Sequence, residues 1–323
     1  MALLLTEKDL RELFEAPSSI DRLLEMTTEA FRRQQKGDGV NHPDLRLLLP
    51  DQKRSLRILA ATMPGYSVGV RIFPLFSGAK DANFILLFDA EAGHLLALVS
   101  GGELNVWRTG APAGVAARYL AHSNATELGL IGSGRQAKGQ LLAIQRAMPS
   151  LQRVKVFSPT PEHRRRFASQ MKDWLALDIE AVETPQAAVE GAQIIDVATN
   201  YRSPVLEPQW ISPGALVISI ASGQMPEQVV SSSRVIVSWK KEVLEGKPAR
   251  EPYTKMIAAG NWSADAIAGE LGDVIVGNVA AREKEDQVVL FELVGVPLWD
   301  ATAAAWAYQW AESRKSGHAF SLT

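Results

Sequence analysis

Apolar residues recur at helical spacing near the N-terminus, at Leu10, Leu13 and Phe14 and again at Ile20, Leu23, Leu24, Ala30 and Phe31. The spacing predicts two amphipathic helices. Thr6 with Asp9 three residues on resembles a helix start, Pro17-Ser18-Ser19 separates the two, and Gly37-Asp38-Gly39 closes the second. Short β-like runs follow at 45–49, 56–60, 68–73 and 84–88. Asp89-Ala90-Glu91-Ala92-Gly93 reads as a hairpin turn into a further run at 95–99. The first third therefore predicts an α+β unit, helices followed by an antiparallel meander.

The pattern changes near Arg108. A helix of small residues is expected over 111–120, running towards the polar junction His122-Ser123-Asn124. Beyond it, strands at 128–131, 154–157, 194–198, 216–220 and 235–237 are interleaved with helices at 137–148 and 162–174. That rhythm specifies an α/β fold, a doubly wound parallel sheet covered by helices on both faces. Two domains are expected: an α+β substrate-binding and dimerisation domain over 1–122, and a Rossmann-type domain over 123–300. A last helix at 301–312 lies in a stretch, 301–323, expected to return to the first domain.

Composition narrows the function classes. A formal net charge of -2 argues against a nucleic-acid or anionic-membrane partner, and the basic run Arg164-Arg165-Arg166 reads as a solvated helix face. The chain has no cysteine, which excludes disulfides, thiolate nucleophiles and Cys-rich metal sites. Five scattered histidines make no zinc pattern, so no metal is expected. Ala2-Leu3-Leu4-Leu5 is too short for a signal-peptide core, and no apolar run approaches the ~18 residues of a membrane span. A cytoplasmic enzyme or binding protein is the expectation.

The run Leu128-Gly129-Leu130-Ile131 leads directly into Gly132-Ser133-Gly134-Arg135-Gln136-Ala137, and a helix follows. Gly132 permits the tight turn, Gly134 lets backbone approach a pyrophosphate, and Ala137 keeps the helix close to the sheet. The N–H groups of the helix start are offered to the anion. Nicotinamide dinucleotide binding is the expected function of this loop. An NAD site usually presents Asp or Glu at the end of the second strand to bind the ribose hydroxyls. Here Phe157-Ser158-Pro159-Thr160 carries no acid and Arg164 follows, which favours NADP with NAD possible. Thr199 and Asn200, at a strand C-terminus, are further expected cofactor contacts.

These segments together resemble the ornithine cyclodeaminase/mu-crystallin family over nearly the whole chain. Trp107-Arg108-Thr109-Gly110-Ala111 is similar to that family's Arg-Thr-Ala-Ala element, and residues 132–137 to its Gly-x-Gly-x-Gln-Ala loop. Ala198-Thr199-Asn200, Pro204-Val205-Leu206, Trp210-Ile211-Ser212-Pro213-Gly214, Glu270-Leu271-Gly272-Asp273 and Phe291-Glu292-Leu293-Val294-Gly295 match other family runs. The resemblance implies a homodimer joined through the N-terminal domain. It also implies hydride transfer between nicotinamide and the α-carbon of a small amino or imino acid. By family position Thr109, Val294 and Gly295 join the cofactor contacts.

The substrate half departs from the family. The usual Lys after Gly-Val is Arg71, and a carboxylate-binding Pro-Arg pair is Pro43-Asp44, with Arg46 two residues on. The acid of the cyclodeaminases falls near Gly223-Gln224, and Leu293 replaces a Ser. Arg108, placed just before a helix, is expected to clamp a substrate carboxylate, with Arg71 as a second contact that cannot serve as acid–base. The reading is therefore an oxidoreductase acting on a cyclic imino acid or ketimine, or running in reverse. Two alternatives stand beside it: an ornithine cyclodeaminase whose acid has moved, for instance to Asp44, Glu103 or Glu227, and a mu-crystallin-like binder of NADP and a small ligand with little turnover.

Overall fold

The computed structural model describes residues 1–50, 54–63, 67–76, 83–246 and 249–322. They divide into two units, Met1–Arg108 with Val296–Thr323, and Thr109–Gly295. The division falls inside a helix. The strand–helix alternation starts later, after the polar junction at residues 122–124.

The first unit opens with β1 (Ala2–Leu5), α1 (Glu7–Glu15) and α2 (Pro17–Lys36). Thr6 and Asp9 cap α1 reciprocally, each side chain taking the other's backbone N–H. Pro17 begins α2 rather than interrupting a helix, because the first helical turn needs no N–H from it. Strands β2 (Val40–Leu48), β3 (Ser55–Met63), β4 (Ser67–Leu75), β5 (Phe84–Phe88) and β6 (Leu95–Ser100) form the antiparallel meander. The turn before β6 is tied by Asp89, whose carboxylate accepts from the Glu91 and Ala92 amides. Strand β1 escaped the sequence pattern; it pairs parallel with β6, so the sheet is mixed. Four residues are too few to show a period.

The helix α3 (Gly101–Leu120) begins well before the expected position 111. Arg108 consequently lies within a helix and not ahead of one. The glycines at 101, 102 and 110 hide this in the sequence. What holds the first turn is tertiary: the Glu7 carboxylate accepts from the amides of Gly102 (2.9 Å) and Glu103 (2.7 Å), a carboxylate on the positive end of the helix.

The second unit is the doubly wound one. Its elements are β7 (Glu127–Ile131), α4 (Arg135–Ala147), β8 (Arg153–Phe157), α5 (Pro161–Leu175), β9 (Asp178–Ala181), α6 (Pro185–Val189) and β10 (Ile194–Val197). There follow β11 (Leu216–Ser219), α7 (Glu227–Ser232), β12 (Arg234–Val237), α8 (Lys240–Glu245), α9 (Tyr253–Ala258), β13 (Ile267–Glu270), α10 (Leu271–Val276) and β14 (Val289–Glu292). The sheet order is β13-β12-β14-β11-β10-β7-β8-β9, with every pairing parallel. Strand order reverses between β7 and β10, where such sheets open a crevice at their C-terminal edge. Burial on both faces explains near-continuous apolar strands such as β10 and β11. Asp196 is the exception in β10: among the described residues neither of its oxygens has a partner, and burial pushes its pKa up to about 8. A neutral carboxyl at that depth avoids burying an unpaired charge.

The chain then enters α11 (Pro297–Arg314) and β15 (His318–Phe320), which pairs antiparallel with β1. α11 lies on one face of the N-terminal sheet. It comes so close that a Cβ on Gly69 would stand 2.5 Å from the Ala301 Cβ.

Candidate active site

The second unit holds a cleft of about 630 Å³ at the switch point. It is lined by Gly132, Ser133, Gly134, Arg135 and Gln136 from the β7–α4 loop, and by Ser158, Pro159, Thr160 and His163 beyond β8. Ala198, Thr199 and Asn200 line it beyond β10, and Ile220 and Ala221 beyond β11. Gly132 has φ 132°, and a Cβ there would lie 2.3 Å from the Ala198 carbonyl oxygen, so no other residue fits. A Cβ at Gly134 would meet nothing within 4 Å, so backbone is bare towards open space. Gly134 is also the N-cap of α4, with no side-chain cap bond. The first amides of a 13-residue helix are thus left for a ligand. Bare backbone, uncapped helix and switch-point position fit a dinucleotide's pyrophosphate.

Nine of the residues the sequence assigns to the cofactor meet in this cleft: Gly132, Ser133, Gly134, Arg135, Gln136, Ser158, Thr160, Thr199 and Asn200. Ala137 is fully buried beneath the loop, in keeping with its expected packing role. Thr109 is buried in α3, and Val294 belongs to the core of this unit, its backbone held from both sides by the Ser238 hydroxyl. Val294 and the exposed Gly295 are not among the cleft residues.

Arg164 needs correction. It stands 3% exposed with its guanidinium donating to the Ser158 carbonyl (2.9 Å) and paired with Glu183. It buttresses the β8–α5 turn instead of meeting a ribose phosphate. Ser158 itself bonds Ser133 through the two hydroxyls at 2.8 Å, joining two cleft loops. His163 and Ala221 enter the lining unannounced. Only the one-turn spacing of His163 from Thr160 could have suggested it.

Gln224 occupies the loop in which the family resemblance implies an acid. It is fully buried, donating to the carbonyls of Thr199 (2.6 Å) and Tyr201 (3.2 Å) and accepting from the Ala221 amide. Its amide therefore ties the β10 and β11 loops together. Glu227 lies on α7 beside Lys255 at 3.6 Å. Deeper at the same sheet edge, Glu292 is buried and accepts from Tyr253 (2.9 Å) and from Arg250. Burial raises its pKa while Arg250 works against that.

The first unit gathers a second constellation. Arg71, on β4, is 4% exposed and donates to Asn83 (3.0 Å), Asn105 (3.0 Å) and Asp300 (3.0 Å). Arg108 donates to Asn105 at 2.6 Å, and its Nε lies 2.9 Å from the same Asp300 oxygen. That second contact is an ion pair without hydrogen-bond alignment. The sequence brings Arg71 and Arg108 forward as partners, and the structure joins them through Asp300, which sequence reasoning missed. Asp300 sits in the first turn of α11, one residue before the expected helix start, where no pattern marks it. Burial lowers the Arg108 pKa to about 10, with Asp300 opposing and Arg71 and Arg57 reinforcing the shift. It is still fully charged at neutral pH.

The acids considered as replacements are engaged elsewhere. Asp44 is paired with Arg57, and Glu103 accepts from the Trp107 indole at 3.0 Å. Arg46 donates to Ser55 at 3.0 Å. Among the described residues there is no cluster of three or more His, Cys, Asp or Glu that could hold a metal, and no helix is long and apolar enough to cross a membrane.

A Rossmann cleft in one unit and a buried arginine–carboxylate cluster in the other define a dinucleotide-binding protein of the α/β class. The chain belongs to the ornithine cyclodeaminase/mu-crystallin family, whose model matches residues 8–315. A Δ1-pyrroline-2-carboxylate reductase of Bacillus cereus is 34% identical over 246 residues, 75% of each chain. The structure of the Thermococcus litoralis Δ1-pyrroline-2-carboxylate reductase in complex with NADH and L-proline superposes with a TM-score of 0.89 at 26% identity, covering 98% of this chain and all of that one. A probable ornithine cyclodeaminase from Bordetella pertussis gives 0.85 at 26% identity, covering 99% of this chain and 100% of the other.

Proposed function

We propose that this chain is an NAD(P)H-dependent reductase of a small cyclic imino acid such as pyrroline-2-carboxylate. The observation that carries the reading is the Arg71–Asp300–Arg108 cluster: two fixed guanidiniums share one carboxylate and so retain positive charge for a substrate carboxylate. The relatives above support the same chemistry. Bound in the cleft, the dinucleotide supplies the hydride. The protein's task is to hold the imino acid by its carboxylate in one orientation. A guanidinium is a poor proton donor, the Gln224 amide is no base, and Glu227 is not among the cleft residues and stands beside Lys255 on α7. The proton delivered to the imine nitrogen comes from water.

An ornithine cyclodeaminase must also place and deprotonate a distal amine. The engaged Gln224 disfavours that reading. NADPH should bind more tightly than NADH, because among the described residues the cleft lining contains no carboxylate to repel a 2′-phosphate; with Arg164 engaged, that absence and the Ser158 and Thr160 hydroxyls carry the preference. A cytoplasmic location belongs to the same reading, since nothing in a chain without cysteine relies on an oxidising compartment. The test is direct. Loss of reduced nicotinamide and gain of proline are followed with pyrroline-2-carboxylate and either cofactor, and ammonia is assayed with ornithine and oxidised cofactor. Proline formation without ammonia release is expected. Stoichiometric ammonia from ornithine would overturn the reductase assignment, and equal dissociation constants for NADPH and NADH, or weaker NADPH binding, would overturn the cofactor preference.

The homodimer is proposed on the sheet face opposite α11. Rows such as Ala60-Val70-Leu86-Leu98 and Ile58-Ile72-Phe84 run across four and three strands and are only half buried. An apolar sheet face of that extent needs cover. Light scattering should return twice 35.2 kDa, and a monomer mass at micromolar concentration would refute it.

A further inference from the structure

We propose that Arg57, on β3, is a third substrate-binding guanidinium and grips the imino-acid carboxylate together with Arg108. This rests on the reading of the arginine cluster as the substrate site. Arg57 lies across β3–β4 from Phe73, and its Cζ is 5.1 Å from the centroid of that ring, while Arg71 stands 4.7 Å from the same centroid. Its charge also reaches Arg108. Three guanidiniums are therefore gathered against two carboxylates, Asp44 and Asp300.

Arg57 differs from its neighbours in what it leaves open. Arg71 and Arg108 have side chains 4% and 10% exposed, whereas that of Arg57 is 28% exposed. Its Nε and one terminal nitrogen are held by Asp44, whose side chain is only 1% exposed. The other terminal nitrogen has no partner among the described residues. A buried carboxylate thus fixes one edge of the fork and presents the remaining donors, which is how an arginine is prepared for a planar anion. Gathering like charges is unfavourable without an anion to answer the surplus. Asp44 occupies the position at which the family resemblance implies a carboxylate-binding arginine, and here it holds a guanidinium on the neighbouring strand.

The test compares wild type, Arg57→Ala and Arg57→Lys on pyrroline-2-carboxylate and on 1-pyrroline, the same ring without the carboxylate. Arg57→Ala should raise KM for the acid about 10- to 100-fold, with kcat far less affected. The preference for the acid over 1-pyrroline should fall by the same factor, and Arg57→Lys should recover part of it. A merely structural pair with Asp44 would lower stability without moving that preference, and an unchanged ratio overturns the inference. Binding of pyrrole-2-carboxylate, read by calorimetry in the presence of NADPH, separates the inference from the reductase reading. Arg57-dependent binding of this non-reducible analogue, in a protein that does not reduce pyrroline-2-carboxylate, supports the inference and sinks the reductase. Binding indifferent to Arg57, or none by wild type, sinks the inference.

Discussion

Arg108→Ala is expected to cut kcat/KM for the imino acid by roughly 30- to 1,000-fold, about 2–4 kcal/mol, while the Kd for NADPH stays nearly unchanged. The size follows from the surroundings. The guanidinium is almost wholly buried, kept charged against desolvation by Asp300 and aimed through the Asn105 bond of 2.6 Å. A contact to a carboxylate made from such a place is charge-assisted and already oriented, so its loss removes both affinity and alignment. Steady-state kinetics with a fluorescence titration of NADPH make the comparison. If cofactor binding falls as far as kcat/KM, Arg108 is a structural residue. Arg108→Lys should keep part of the affinity and lose the geometry, because an ammonium cannot reproduce the fork.

Asp300→Ala should be the most destabilising substitution in the first unit, by about 3–5 kcal/mol, since it strands two buried arginines beside each other. Asp300→Asn keeps an acceptor for Arg71 and should cost less. Urea unfolding followed by circular dichroism measures the loss, and a change within about 0.5 kcal/mol for the alanine variant would show that the pair carries no weight. Activity should fall with stability in both variants, because Asp300 positions Arg71 and Arg108 without touching substrate itself. Among the described residues its second oxygen has no hydrogen-bond partner, so its contacts there are the two arginines.

The cofactor half of this protein could be read from the chain because each part of it is local. A strand, a tight turn and a helix start occupy residues 128–137, and the two glycines meet their constraints within that stretch: a left-handed φ at Gly132 and an open side at Gly134. The hydrophobic pattern likewise specified the meander and, in the second unit, β7, α4, β8, α5, β10 and β11, because such a pattern is a property of neighbours; β9 and α6, of four and five residues, were too short to show one. Arg164 shows where locality fails. Its place after the second strand suggested a phosphate ligand, but Glu183, beyond β9, claims it, and no spacing announces a partner nineteen positions away.

A dinucleotide loop, a parallel sheet to carry it, an arginine at the family's lysine position (Arg71) and no acid at Gly223-Gln224 were legible along the chain. That Arg71 and Arg108 meet on one carboxylate is a consequence of the fold. Arg71 and Asp300 are 229 residues apart, and they meet because Gly69 lets α11 lie directly on β4. The start of α3 depended in the same way on Glu7, far earlier in the chain. Long-range charge pairs leave no periodic trace, because their energy depends on distance and burial in the folded chain and not on spacing along it.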